Sequence, residues 1–443
     1  MKDPHARDKG KGVDRCPPRG RNSRSGAALR AHAPLRGLVV LVVALALLPH
    51  VPGLYSDFGR SLLTQMAIAA VFALSFNLLF GQTGLLSFGH AVYFGLGGYA
   101  AILTMRAING GVALPIVVVP VAGALGGLVA GIAFGAVTTR KAGTIFALIS
   151  LGVGELVYAA TFMLPGLFGG EEGITASRTR AAIDLGLPLR TQLAVYYAVV
   201  VWAVFSALAM YAFTRTPVGR MCNAVRDNPE RAEFVGYSTQ RVRFVAFAAA
   251  GLFAGLAGGM HAINYEIVAA DAVSAQWSGT VLIMAYIGGA AHFIGPVLGA
   301  IVITWLQSSL SGYTSAWLLY LGLFFIAMIL FAPSGLSGLV VRHASILRTR
   351  AFARVLGAYA LALVPLAIIA VGMVLLVEMS YRLATQPELG SRMHLLWADV
   401  VAASAWPWSV AIVALVGGFL LFRLTWRPIG AAWDRATAQA AVR

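Results

Sequence analysis

The sequence predicts an all-α, polytopic membrane protein: a bundle of about ten core transmembrane helices with two more at its C-terminal end. Three observations carry that prediction. Hydrophobic residues make up 59% of the 443, charged residues only 11%, and mean hydropathy is +0.80; a soluble domain carries roughly 25% charged residues. The apolar runs are continuous, without the in–out alternation of outer-membrane strands, so helices rather than a barrel satisfy the backbone in lipid. The 49 glycines suit helices that pack closely where lipid surrounds them.

Residues 1–36 hold ten Lys/Arg against Asp3, Asp8 and Asp14, with Pro and Gly throughout, and predict a disordered basic tail. The run Leu38–Leu48 lacks a small-x-small cleavage site and is expected to be a short first span rather than a leader. Twelve spans follow from the apolar runs: 37–54, 60–80, 84–106, 112–137, 143–165, 191–213, 244–265, 273–290, 294–311, 314–332, 355–379 and 406–423. With both termini in the cytoplasm, 26 of the 33 Lys/Arg fall on the inner side, as the positive-inside rule requires. The net charge of +16 is therefore a topology signal, and nucleic acid is not an expected partner. Cys16 and Cys222 both fall on the cytoplasmic side, which argues against a structural disulfide.

The chain has no means of hydrolysing ATP. A P-loop needs Gly-Lys followed by Ser or Thr, and the one Gly-Lys here, Gly10–Lys11, is followed by Gly12. No Cys/His/Asp cluster has metal-ligand spacing, and no cofactor is expected. A serine-hydrolase reading of Ser87 fails because GLLSFG lacks the Gly-x-Ser-x-Gly elbow. An ion-coupled carrier would need ionisable groups near the bilayer midplane, and Glu155 is the clearest of few candidates. The pattern favours a pathway energised from outside the chain.

The stretch Arg215 to Arg243 is long and polar for a loop between spans. Asn228 can cap a helix with Pro229 at its first position and Glu230 at the positive helix end, and Gly236 can end it in a left-handed turn. This predicts a short helix, Pro229–Val235. Phe234 and Val235 offer it an apolar contact, and Arg220, Arg226, Glu230 and Arg231 offer charge pairing. On loop chemistry alone two readings stand side by side: a plug for a soluble partner, and a basic loop that sets topology and touches anionic lipid.

Gly81, Gly84, Gly89, Gly95, Gly97 and Gly98 make the 81–98 region a poor continuous helix. Broken helices in transporters expose backbone to a cavity, and Gln82, Ser87 and His90 would then line a substrate path. Glycine-mediated close packing is the competing reading. Glu155 divides the same way between pathway and structural hydrogen bond, whereas His261 and His292 are expected to be packing residues.

Three ordered motifs carry a family resemblance. GQTGLLSFGHAVYFGLGGYAA (81–101) resembles the signature of the permease subunits of branched-chain amino acid ABC importers, of the LivM type. TPVGRMCNAVRDNPERAEFVGYSTQRVRFVAFAAAGLFAGLAGGMHA (216–262) resembles their ATPase-coupling loop and following helix, and GGAAHFIGPVLGA (288–300) their GG-x-G-T-x-x-GP-x-x-GA element. GGEEGI (169–174) resembles their outer loop. Ala291 and His292 depart from the family's Gly and Thr.

The resemblance implies a division into the tail, a permease core over 37–335 with its coupling loop at 216–243, and a C-terminal extension over 336–443. It implies a multi-pass subunit of the bacterial inner membrane. A second related permease, two cytoplasmic ATPases and a periplasmic solute-binding protein would be its partners. Hydrophobic amino acids are the usual cargo; urea and short amides are carried by close relatives.

Overall fold

The computed structural model describes residues 42–180, 189–347, 352–385, 392–395 and 398–441. The expected tail at 1–36 and the start of the expected first span lie outside the described residues. The chain divides into two units, Met1–Tyr55 and Ser56–Arg443. The described part of the first is a helix over 42–47 followed by a 3-10 turn, Leu48–His50.

The second unit is a helical bundle. Helix α1 (Asp57–Thr83) starts where Ser56 Oγ accepts from the Gly59 N–H at 3.1 Å, and stops at Gly84, whose φ of 74° is left-handed. Helix α2 (Ala91–Asn109) follows, then α3 (Val119–Thr138), α4 (Gly143–Met163) and α5 (Gln192–Arg215). Two shorter helices, α6 (Pro217–Asp227) and α7 (Pro229–Phe234), precede α8 (Thr239–Tyr265). Then come α9 (Ala275–Gly288), α10 (Gly295–Tyr313), α11 (Trp317–Phe331) and α12 (Gly335–Leu347). The extension holds α13 (Phe352–Thr385) and α14 (Ala405–Ala441). Among the described residues, sheet is confined to β1 (Ile174–Thr175) paired with β2 (Ile267–Val268), and β3 (Arg392–Leu395) paired with β4 (Ala398–Val401).

Glycine sets the centre of the bundle. A Cβ on Gly255 of α8 would stand 2.3 Å from the Gly123 carbonyl oxygen and 2.6 Å from the Gly127 Cα of α3. A Cβ on Gly97 of α2 would stand 2.3 Å from the Gly255 Cα. Between these helices backbone therefore rests on backbone, the close approach that small residues permit in membranes. Around that crossing lies one apolar core, including Phe72 and Phe76 of α1, Tyr93 and Ile102 of α2, and Phe247 and Met260 of α8.

Of the twelve expected spans, the first begins outside the described residues. Among those residues, eight helices are long and apolar enough to cross a membrane, or nine if the bent pair α11 and α12 forms one span. The run expected at 273–290 folds as a helix of only 14 residues, roughly 21 Å long against a ~30 Å hydrocarbon core. It doubles back on α10 as a tight antiparallel hairpin, with Gly288 against Gly295 and Gly299 against the Met284 carbonyl. The run at 314–332 ends at Phe331 and bends by 51° into α12. The run at 84–106 starts its helix only at Ala91. Apolar composition marks all of these as buried in membrane or protein; it does not distinguish a full crossing from a half-crossing.

The extension folds as a second hairpin. Gly372 of α13 packs against Ala411 and Leu415 of α14, and Gly418 against Ile368 and Ile369. Tyr320 of α11 donates to Glu378 Oε1 of α13 at 3.0 Å, which ties the hairpin to the core.

Gly255→Leu is expected to overpack the crossing at a cost of ~1–3 kcal/mol or more, seen as a lower melting temperature and less monodisperse protein after detergent extraction. Gly152→Leu, at an α4 glycine with open space around it, should change neither.

Candidate functional site

Three features define the site: the break between α1 and α2, the polar loop between α5 and α8, and a cavity in the opposite half of the bundle.

The break reaches deep into the fold. His90 stacks on Phe72 and meets Phe76 edge-on, with ring centroids 5.5 and 5.4 Å away. Phe72 and Phe76 lie in the second half of α1, within two turns of its midpoint, so residues 84–90 run back from the end of α1 toward its middle without helix. Backbone freed at membrane depth needs partners. The Phe88 N–H donates to Ser150 Oγ of α4 at 3.1 Å, and the Ala91 N–H to Ser278 Oγ of α9 at 3.0 Å. A Cβ on Gly89 would stand 2.1 Å from the Ser150 carbonyl oxygen, so only glycine fits there. His90 Nε2 pairs with Ser75 Oγ at 3.0 Å. His90 Nδ1 and Ser87 Oγ are buried with no protein partner.

The loop is more ordered than its polarity suggested. Helix α6 was not anticipated; Thr216 Oγ1 caps it, accepting from the Gly219 N–H at 3.2 Å, with Pro217 at its first position. Helix α7 is the anticipated helix, ending one residue earlier. Asn228 Oδ1 accepts from the Arg231 N–H at 2.9 Å, and Gly236 turns with φ +90°. Cys222, Val225 and Ala232 pack with Val242 and Ala246 of α8 as a small satellite core. Burial there pushes the Cys222 thiol up, which keeps it protonated and unreactive. Phe234 is left 91% exposed and Val235 70%. Arg220, Glu230 and Arg231 are exposed as well.

Arg226 faces two ways. Its guanidinium donates to the Gly81 carbonyl at the end of α1 and pairs with Asp227 at 2.9 Å, while the residue stays exposed. Beside it, Asn223 Nδ2 donates to Gln82 Oε1 at 3.1 Å. Gln82 is thus a contact of the loop.

The four expected path residues do not converge. Gln82 sits at the loop end and Ser87 and His90 in the buried break. Glu155 is exposed on the outer face of α4, beside exposed Leu156. Sequence reasoning missed Ser75, Ser150, Ser278 and Asn223. Their signal was present, since a lone serine in an apolar run needs a partner, but nothing local names that partner.

The cavity has a volume of about 290 Å³ and lies between α1, α2, α8, α9 and α10. His261, expected as packing, lines it and lies against Phe94 and Tyr265, with ring centroids 5.3 and 4.4 Å away. Phe72 and Phe94 separate the cavity from His90. Near that end, the segment after Gly169 is pinned to α8: the Arg178 N–H donates to Glu266 Oε1 at 2.6 Å, and β1 pairs with β2.

Residues 59–333 match the family model described as branched-chain amino acid transport system / permease component. The chain is 25% identical over 332 residues to the high-affinity branched-chain amino acid transport system permease protein LivM of Escherichia coli K12. That match covers 70% of this chain and 76% of the relative. It is 24% identical to the LivM protein of Salmonella typhimurium LT2, over 68% of this chain and 73% of the relative. The fructose import permease protein FrcC of Rhizobium meliloti is 27% identical over 40% of this chain and 52% of its own length. No solved structure gives a significant match.

Ser75→Ala should strip His90 Nε2 of its partner and leave the buried ring unpaired, at a cost of roughly 1–3 kcal/mol. The expected outcome is a lower melting temperature with unchanged membrane insertion.

Proposed function

The chain belongs to the family of branched-chain amino acid transport system permease components, and from that premise we propose that it forms half of an ABC importer's pathway for hydrophobic amino acids, driven through α7. The chain is a multi-pass membrane permease, and the family implies ATPase and solute-binding partners. The observation that carries the proposal is Phe234. An aromatic side chain 91% exposed, on a helix capped at its start and turned sharply at its end, is the form of a docking plug. Such anchors dominate binding energy when a partner buries them. Glu230 and Arg231 flank it with opposite charges.

Cytoplasmic ATPases, two per transporter, would grip α7, and a second related permease would complete the path. The loop and both termini would lie in the cytoplasm of a bacterial inner membrane, with the solute delivered by a periplasmic binding protein. Arg226 and Asn223 would pass the motion of α7 to the end of α1 and so to residues 84–90.

Glu155 fits the permease seam. A carboxylate facing lipid near the middle of a span costs roughly 2.5–3.5 kcal/mol by insertion scales. A second permease over this face of α4 would relieve that cost and place the carboxylate beside the path. A gradient-driven carrier would leave the exposed Phe234 unexplained.

Phe234→Asp, and separately Glu230→Arg with Arg231→Glu, should lower amino acid uptake by at least about tenfold while the protein inserts normally and the ATPases no longer co-purify. Undiminished uptake in both would remove α7 from the coupling role. Glu155→Gln should lower the rate of uptake in reconstituted vesicles; a wild-type rate and KM would make the carboxylate structural.

A further inference from the structure

Helix α8 leaves the docking loop at Thr239 and ends 27 residues later at Tyr265, roughly 40 Å away. At that remote end, α2 and α8 are joined by polar bonds rather than by glycine. The bonds come from the segment around β1. Arg106 Nε, in the last turn of α2, donates to the Thr175 carbonyl at 3.0 Å. The Ala176 N–H donates to the Glu266 carbonyl at 3.0 Å, beside the pairing of β1 with β2. Arg178 then grips the end of α8. Its N–H donates to Glu266 Oε1 at 2.6 Å, and its guanidinium to the carbonyls of Ile263 and Asn264 at 3.2 and 3.0 Å. We propose that residues 169–178 form a releasable latch, paired with 266–268 in the resting permease and detached from the end of α8 in each transport cycle. This rests on the permease reading above and adds to it a moving part at the end opposite α7.

The hold is thin. The ladder is two residues a side, Thr175 and Ile267 are exposed, and Arg178 and Glu266 are half-buried. Water can take over such bonds when the segment lifts, so breaking them leaves no buried group unpaired. The glycine crossing of α2, α3 and α8 has no such substitute. The segment also begins on a hinge. Gly169, Gly170 and Gly173 are all left-handed, with φ of 80°, 65° and 71°, a conformation that glycine takes without strain.

The other side of the latch is strained. Glu266 is the one non-glycine among the described residues with a left-handed φ, at 58°. Such a conformation persists where its surroundings over-determine it, and it clusters at switch regions. The latch supplies two of the restraints on Glu266, through Ala176 and Arg178. Lifting the latch removes both, so the strain favours release.

Release would free one end of a segment that runs into the fold. Residues 266–278 pass beside α2: a Cβ on Gly98 would meet Val268 at 3.4 Å, and one on Gly95 would stand 2.2 Å from Val273 Cγ1. At the far end Ser278 Oγ accepts the Ala91 N–H at the break. Tyr265 and Trp277, near the two ends of this segment, both line the cavity. The latch thus holds the outer end of a cavity wall whose inner end rests on the break.

Thr175 and Ile267 stand opposite one another in the ladder. The adjacent pair, Ala176 and Glu266, carries the main-chain bond, so Thr175 and Ile267 occupy the site without one. The Cα atoms of such pairs lie about 4.5 Å apart, a distance a disulfide spans. The test uses the assembled transporter with its binding protein in proteoliposomes, radiolabelled L-leucine as probe, and Thr175→Cys combined with Ile267→Cys. Oxidation with copper phenanthroline should lower uptake by the double variant at least about tenfold, and dithiothreitol should restore it. The single variants, unable to cross-link the latch, should lose nothing on oxidation. Glu266→Gly suits the left-handed turn and removes the side-chain bond to Arg178. In that variant amide hydrogen exchange over 174–178 should quicken at least about tenfold, with exchange in α8 unchanged. Undiminished uptake by the fully cross-linked double variant would overturn the latch and leave the permease reading intact, as would unchanged exchange in Glu266→Gly. Failure of the wild-type transporter to take up any hydrophobic amino acid would instead overturn the permease reading.

Discussion

The backbone contact of α8 with α2 and α3 is the constraint on which the rest of the structure depends. Gly97, Gly123, Gly127 and Gly255 bring main chains so close that no Cβ fits between them. In lipid there is little hydrophobic drive to join helices, so packing and close approach carry the association. This crossing also fixes register. Because Gly97 meets Gly255, more than halfway along α8, the start of α2 is held near mid-bundle. Residues 84–90 must therefore climb from the end of α1 to that depth outside a helix.

That forced climb creates polar groups where lipid-exposed backbone is not tolerated. Hydroxyls from three helices meet it: Ser75 from α1, Ser150 from α4 and Ser278 from α9. The segment is thereby held by several elements at once. At its lower end the loop is anchored by Arg226 and Asn223. At its upper end His90 lies under Phe72. The docking loop, the break and the cavity thus form one contiguous series of packed groups.

The periphery has a different character. Within their most apolar stretches, α4 and α5 are each only 33% buried, α13 22% and α14 17%, against 72% for α1 and α8. Large apolar side chains such as Leu148, Val201 and Leu363 face outward, as a membrane surface requires. Glu155 interrupts that surface on one exposed face of α4. The α13–α14 hairpin stands on the core through Tyr320 and Glu378, a polar contact whose isolation in apolar surroundings makes it specific.

Local chemistry determined a good part of this protein. Composition gave the helical membrane class, and the glycine run gave the break in 81–98. Asn228-Pro229 and Gly236 gave α7, because a capping side chain, a fixed φ and a left-handed turn act within a few residues. The depth of His90, the contact of Arg226 with the end of α1 and the hairpin of α9 on α10 were decided by tertiary structure. Each depends on which helices meet and at what level, and an apolar run carries no label for its neighbour. Gln82, Ser87, His90 and Glu155 looked alike as polar residues in apolar surroundings. Packing sent them to a loop contact, a buried break and an outer face, because side-chain environment is set by contacts far apart in sequence. The cavity is the clearest case: its walls come from five helices spread over Gln65 to Ser311, and no local pattern could have assembled them.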